Sequence, residues 1–426
     1  MSGTNSQDRL AINQDRLWVS LMALAEVGSY IDGRSGLRGV NRLALTDAEA
    51  EGRRLVIRWM REAGLRVRVD EFGNVYGRRE GLLADAPPVL VGSHIDSVAT
   101  AGAFDGCLGV LGGIEMARIL NEHKVLTDHP IEVAFFTEEE GVRFGTDMLG
   151  SAVAAGRIPL DEALLRADVT GITVGAELER LGFRGTAPAR LAAPHAYVEC
   201  HIEQGPVLSA AGRELGVVTG VQAISWQELT LFGKSAHAGT TPMELRHDAG
   251  LAAAMITLKL HEMVDSGKYG DLRVTVGRND TYPNLINIVP ARVVCTVDLR
   301  NPSETYMQAA EEELRRYLEV VTAKTGVQIT PKQTAKTPPV EFHDDVENVI
   351  SEEIDTVGLS QMRLLSGAGH DAGEITALCP TAMVFVPGEY DGISHNPREY
   401  STPEACANGI NILTAVVRRL AAKDSL

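Results

Sequence analysis

Hydrophobic positions along the chain follow two different periods, and the change from one to the other maps the expected elements. Residues 17–27 and 46–63 carry apolar side chains at helical spacing, the second stretch opening on an acidic first turn and stopping at Gly64. Residues 65–76 alternate like a hairpin. Short apolar runs then recur at 89–91, 131–136, 196–200 and 381–386, with a helix expected over about 108–123. Runs of this kind alternating with helices predict a mostly parallel sheet covered by helices.

Around 216–220 the rhythm changes. The segment that follows reads strand, helix, strand, strand, helix, strand, with strands near 225–232, 272–276, 292–299 and 327–333 and helices near 246–264 and 303–324. That order predicts an α+β sandwich of ferredoxin-like type. Lys336-Thr-Pro-Pro339 reads as a return linker, after which the βα alternation resumes. The expected architecture is therefore an α/β catalytic domain with a mostly parallel sheet, residues 1–218 and 337–426, interrupted by an inserted α+β domain, residues 219–336. The crossings at 216–220 and 336–339 are candidate hinges.

Composition narrows the function classes. A chain of 426 residues exceeds a single core, in keeping with two domains. A formal charge of -17 without clustered Lys and Arg argues against a nucleic-acid surface. Five widely spaced cysteines, Cys107, Cys200, Cys295, Cys379 and Cys406, form no CxxC pair and read as reduced core thiols. Residues 1–9 form a polar leader without an apolar core, and no stretch approaches the roughly 20 apolar residues that span a bilayer. A cytoplasmic protein with no membrane partner is expected. The glycine-rich runs 106–113 and 367–373 fit neither a P-loop nor a dinucleotide fingerprint.

The chemistry lies just beyond the apolar runs. They lead into His94-Ile-Asp96 and Phe104-Asp105-Gly106, into Thr137-Glu138-Glu139-Glu140-Gly141, into His201-Ile-Glu203-Gln204-Gly205, and into Ser394-His395-Asn396-Pro397. In open α/β sheets such strand ends are where sites form. A mixture of imidazole and carboxylate ligands suits zinc, manganese, cobalt or nickel better than calcium. Asp96, two residues past His94, can accept the second imidazole N–H and fix the ring. Asp105 alone would pass for a turn aspartate, but a carboxylate has two oxygens and can bridge two cations. The acidic triplet would ordinarily be a solvated charge run; after a buried apolar run it becomes a site edge, where one carboxylate binds metal and its neighbour accepts a proton.

These segments, with His237-Ala-Gly239-Thr240-Thr241-Pro242 and the early stretches Arg42-Leu-Ala-Leu-Thr46 and Trp59-Met-Arg-Glu-Ala-Gly64, resemble the M20 metallopeptidase superfamily, specifically its amidase, hydantoinase and carbamoylase branch. The resemblance covers almost the whole chain, in order. It implies a dinuclear site in which Asp105 bridges, His94 and His201 complete one metal, Glu140 and His395 complete the other, and Glu139 is the general base. It further implies that Gln204, Asn287, Arg300 and the backbone near Gly369 bind substrate, that His237 stabilises the oxyanion, and that the inserted domain is a lid and dimerisation module. Peptidase relatives generally place a carboxylate where this chain has His201, which favours the carbamoyl and ureido branch. Glu138 and Ser97 stand where Asn and Thr are commonly seen.

The implied activity is metal-dependent hydrolysis of an N-carbamoyl-L-amino acid by a homodimer. Allantoate and β-ureidopropionate are alternative substrates, and an M20 peptidase or an inactive binding module are weaker readings. His123, His129, His195, His247 and His370 have no expected role.

Overall fold

The computed structural model describes residues 10–423 and 425; the polar leader, residues 1–9, lies outside them. The chain forms two compact units, one running to Gly220 and resuming at Glu341, the other spanning Val221–Val340.

The first unit is built on a mixed nine-stranded sheet. Its centre is four parallel strands in the order Thr381–Val386, Ala196–Ile202, Val89–His94, Ile131–Phe136. Every residue of these four is buried, because helices cover the sheet and leave no face for water. Antiparallel neighbours flank them: Leu215–Val221 beside Thr381–Val386, and Val75–Arg79 then Arg66–Val69 beyond Ile131–Phe136. Helix Cys107–Glu122 packs on Val89–His94, and helix Pro403–Leu420 packs on Thr381–Val386 and Ala196–Ile202. Glycine permits this closeness at one position in particular. Gly92 has φ 147°, and a Cβ there would stand 2.0 Å from the Ala134 carbonyl oxygen.

The two early helices are Gln14–Glu26 and Asp47–Glu62, capped by the side chains of Asn13 and Thr46 accepting N–H groups from their first turns. The expected hairpin closes through Asp70, whose carboxylate accepts the N–H groups of Phe72 and Asn74 at 2.9 Å each.

Two strands run further than the sequence suggests. The apolar runs stop at Val91 and Cys200, but parallel pairing carries on to His94↔Phe136 and His201↔Phe385. Both histidines are therefore strand residues held by ladder geometry, not loop residues.

In the second unit, antiparallel strands lie in the order Arg273–Thr275, Arg292–Asn301, Ala223–Phe232, Gln328–Thr337, with Asn279–Tyr282 also pairing to Arg292–Asn301. Helices Ala249–Asp265 and Glu304–Thr325 pack against each other and bury Ile256, Leu260, Leu314 and Leu318 on Leu229, Leu231, Val297 and Leu299 of the sheet. Lys336 and Thr337, expected in the return linker, still pair with Ser225 and Ile224. Among the described residues no helix is long and apolar enough to cross a membrane, and all five cysteines are buried and free.

Candidate metal centre

Five segments of the first unit deliver their side chains to one place. His94 closes the strand Val89–His94, Asp105 lies two residues before helix Cys107–Glu122, and Glu139 and Glu140 follow Ile131–Phe136. His201 sits in the strand Ala196–Ile202, and His395 lies in the loop after Thr381–Val386.

Asp105 is the centre of the arrangement. Its Oδ1 lies 3.2 Å from His201 Nε2 and 3.5 Å from His94 Nε2; its Oδ2 lies 3.4 Å from His395 Nε2, which is in turn 3.2 Å from Glu140 Oε2. Two of the three ligand groups among the described residues share one aspartate, namely His94, Asp105 and His201, and Asp105, Glu140 and His395; the third is Glu199, His201 and His370. Glu139 belongs to none of them, and its Oε2 is 3.4 Å from His94 Nε2.

The ring orientations suit cations. His94 Nδ1 donates to the Asp96 carbonyl at 3.0 Å and His201 Nδ1 to the Ile202 carbonyl at 2.8 Å, so Nε2 is the atom turned inward on both rings, where that of His201 accepts the Gly106 N–H at 2.9 Å. His94 Nε2 is buried without a hydrogen-bond partner among the described residues. An orphan imidazole nitrogen aimed at two carboxylates is what a divalent ion would satisfy. Electrostatics agree. Burial disfavours a charged His94, yet Glu139, Asp105 and Asp96 raise it well above the usual histidine range. Asp105 moves the opposite way: burial opposes its ionisation, but the imidazoles of His201, His395 and His94 hold it well below the carboxylate range. The cluster needs positive charge, from protons on the rings or from cations that replace them.

Burial raises Glu139 well above the carboxylate range; His94 pulls the other way, while Asp371, Glu140 and Asp105 add to the rise. Such a carboxylate holds a proton more readily than a solvated one, as a proton shuttle must.

Asp96 differs from expectation in detail. It is the backbone carbonyl of Asp96 that fixes the His94 ring, and the carboxylate stands 3.7 Å from Nδ1. That carboxylate instead accepts the N–H groups of Glu139 at 3.3 Å and Glu140 at 3.2 Å, two buried donors that need an acceptor, and so orients the acidic loop. Gln204, expected to meet substrate, points its amide N–H at Asp105 Oδ2, 2.7 Å away, leaving its buried oxygen without a partner among the described residues. Glu138, Gln204 and His395 hold φ of 57°, 57° and 55°, a left-handed conformation that is costly for side chains of this size.

Three neighbours carry no sequence expectation. Glu199, two residues before His201 on a buried strand, accepts Ser93 Oγ at 2.6 Å, Tyr197 OH at 3.1 Å and the Ala372 N–H at 3.0 Å, which marks it as a structural acceptor beneath the site. Its place in an otherwise apolar run was the available signal. His370 meets Ser366 Oγ at 2.9 Å and sets its ring 4.6 Å from that of His201. Glu399, buried beside Asp105, is pushed up to about 7 by burial foremost and then by the Asp105 charge.

The remaining expected residues are placed as follows. Gly369 lies in the first unit, between Gln361–Ser366 and Asp371–Ile375. His237, Asn287 and Arg300 belong to the second unit. His237 and Asn287 are brought together by the short pairing Ala236↔Val289 and His237↔Ile288, with the Asn287 carbonyl accepting the Ala238 N–H at 3.0 Å. His237 is exposed, and its Nδ1 accepts the N–H groups of Gly239 at 3.0 Å and Thr240 at 3.1 Å. Arg300 Nη2 bonds Asp298 Oδ2 at 2.9 Å.

One prediction arises directly from the packing. Gly106 has φ 66°, and a Cβ on it would lie 2.4 Å from His94 Nε2. The buried ring cannot retreat, so Gly106→Ala displaces a ligand. The variant is expected to bind metal about 10–100-fold more weakly, the scale seen when ligand orientation is disturbed. Wild-type affinity in a metal titration of this variant would contradict the assignment of His94.

The chain is similar in sequence and fold to several known proteins. An N-carbamoyl-L-amino acid amidohydrolase of Geobacillus stearothermophilus is 40% identical over 414 residues, covering 96% of this chain and 99% of the relative. A ureidoglycolate hydrolase of Arabidopsis thaliana is 33% identical over 406 residues, covering 93% and 84%. The crystal structure of an amidase of the hydantoinase/carbamoylase family from Burkholderia vietnamiensis matches with a TM-score of 0.94 at 41% identity, covering 98% of this chain and 99% of that one. Residues 90–419 match peptidase family M20/M25/M40, and the chain belongs to that family.

Proposed function

We propose that the protein hydrolyses the C–N bond of an N-carbamoyl-L-amino acid, releasing the amino acid, carbon dioxide and ammonia. The observation that carries this reading is the division of ligand atoms around Asp105, with Glu139 outside both groups. His94, Asp105 and His201 would hold one divalent ion and Asp105, Glu140 and His395 a second, with zinc or manganese the first candidates and cobalt or nickel also suited to the donor set. When bound, such ions supply Lewis-acid polarisation of a carbonyl and a more acidic water.

The chain's own groups do the rest. Glu139 takes a proton from the attacking water and returns it to the leaving nitrogen. Its neighbours are committed elsewhere, Glu138 Oε1 accepting the Arg143 and Phe144 N–H groups and Glu140 facing His395. In this reading the amide oxygen of Gln204 and the backbone near Gly369, both of the first unit, would receive the ureido group. His237, whose Nδ1 accepts two N–H groups, carries its proton on Nε2 and can donate it to a developing oxyanion. Arg300 offers a guanidinium fork for the substrate carboxylate, which lysine could not imitate, and Asn287 a side-chain amide.

In this reading the second unit, residues 219–336 by the sequence boundaries, is a lid and dimerisation module, and the enzyme is a cytoplasmic homodimer. Support comes from Tyr282, Leu285 and Ile286, large apolar side chains left exposed beside Asn287.

A second substrate reading, a ureido acid such as allantoate or β-ureidopropionate, draws support from the likeness to the plant ureidoglycolate hydrolase. Ammonia release from a panel of N-carbamoyl amino acids, allantoate, β-ureidopropionate and dipeptides decides between them, using apoprotein reconstituted separately with zinc, manganese, cobalt and nickel. N-carbamoyl-L-amino acids are expected to be turned over fastest; dipeptide cleavage outpacing every ureido substrate would overthrow the proposal.

A further inference from the structure

Ser394 and Glu399 have no part in the chemistry above, yet they tie the two halves of the ligand set together. Glu399 Oε1 accepts the backbone N–H of Phe104 at 3.0 Å and of Asp105 at 3.2 Å. Its Oε2 lies 2.6 Å from Ser394 Oγ, and that hydroxyl is also 2.9 Å from Asp105 Oδ2. One carboxylate thus grips the backbone that presents Asp105, and through a single hydroxyl reaches the Asp105 side chain as well. Ser394 precedes His395 directly, and the Glu399 N–H donates to the Asn396 carbonyl at 2.9 Å, closing a turn just after the histidine. Gly102 makes the approach possible: a Cβ there would stand 2.4 Å from Glu399 Cβ.

The contacts are selective. Ser394 touches Oδ2, the Asp105 oxygen that faces His395, and not Oδ1. The other group is secured by different means, the backbone carbonyls of Asp96 and Ile202 fixing the rings of His94 and His201. Burying Glu399 next to Asp105 sets two carboxylates against each other in a place that water does not reach, an electrostatic cost that a glutamine would avoid. A hydroxyl has one proton to give, so Ser394 can serve only one of the two carboxylates at a time. The Gln204 amide N–H also reaches Oδ2, at 2.7 Å, so that oxygen keeps a donor when Ser394 serves Glu399.

We propose that Glu399, acting through Ser394, is the positioning residue that holds Asp105 Oδ2 and His395 in register with Glu140, and so sets the affinity of the second cation separately from the first. This inference rests on the two-ion reading of the site. It assigns Glu399 and Ser394 no contact with substrate; they act through Asp105 and His395.

The test uses full-length protein stripped by a chelator and titrated with Mn2+ and, in parallel, Zn2+, in the wild type, Ser394→Ala and Glu399→Gln. The wild type is expected to bind two ions per chain. In both variants one ion is expected to bind as in the wild type and the other roughly 10–100-fold more weakly, with kcat recovering as the free metal concentration is raised. Ser394→Ala removes one oxygen and guards against a folding defect, which thermal melting of the apoproteins would reveal in Glu399→Gln. Two ions bound at wild-type affinity in both variants would overturn the positioning role and leave the dinuclear reading standing. Equal weakening of both ions in Ser394→Ala would also overturn it, because the claimed selectivity would be absent. A wild type that binds only one ion would overturn the dinuclear reading itself.

Discussion

Replacing Glu139 with Gln is expected to lower kcat by about 10²–10⁴-fold, the range supplied by a positioned acid–base group, while the protein still binds two ions. The substitution keeps shape and burial and removes the carboxylate's charge and with it the ability to take a proton. Metal binding should survive because Glu139 lies outside both ligand groups, its contact being with His94 Nε2 at 3.4 Å. The nearest acids are poor replacements. Glu138 is held by two backbone N–H groups, Glu140 faces His395, and Asp96 accepts the N–H groups of the acidic loop. Ammonia release and elemental analysis on one preparation check both halves of the prediction. Retained turnover would remove Glu139 from its role, and lost metal would make it a ligand.

Removing the shared aspartate should be more severe. Asp105→Ala takes one oxygen from each group at once, so both ions are expected to leave and hydrolysis to fall to the level of the chelated wild type. A change that touched one group alone would spare an ion. The loss should also show in stability, because an ion present at a hundred times its Kd stabilises the folded state by about 2.7 kcal/mol. Added metal is therefore expected to raise the melting temperature of the wild type and leave that of Asp105→Ala unmoved. A metal-dependent rise in the variant would show that the ions sit elsewhere.

Much of this centre was legible before the fold was known, and the reason is physical. A parallel strand buried on both faces must be apolar along its length, so Val-Ala-Phe-Phe before the acidic triplet and Thr381–Val386 before Ser394-His395 advertise both the strand and the end at which polar groups gather. Polar residues inside such strands conceal themselves. His94 and His201 lie beyond the apolar runs by composition but within the hydrogen-bond ladder, and Glu199, inside an apolar run, is an acceptor for Ser93 and Tyr197.

Short helices such as Leu149–Ala155 and Leu160–Leu165 span under two turns and offer no period to detect. The acidic-loop donors to Asp96 and the reach of Ser394 and Glu399 to Phe104 and Asp105 join segments dozens to hundreds of residues apart, and no local pattern encodes them. In the second unit, the strand, helix, strand, strand, helix, strand order was readable because its helices Ala249–Asp265 and Glu304–Thr325 are long. The added strand Asn279–Tyr282, polar and largely exposed, was not.

Anomalous diffraction from crystals of the metal-reconstituted protein, recorded on either side of the metal's absorption edge, tests the central claim most directly. The expected result is two peaks per chain on opposite oxygens of Asp105, one shared with His94 and His201 and the other with Glu140 and His395, and neither coordinated by Glu139. A single peak, or peaks that leave Asp105 uncoordinated, would contradict it.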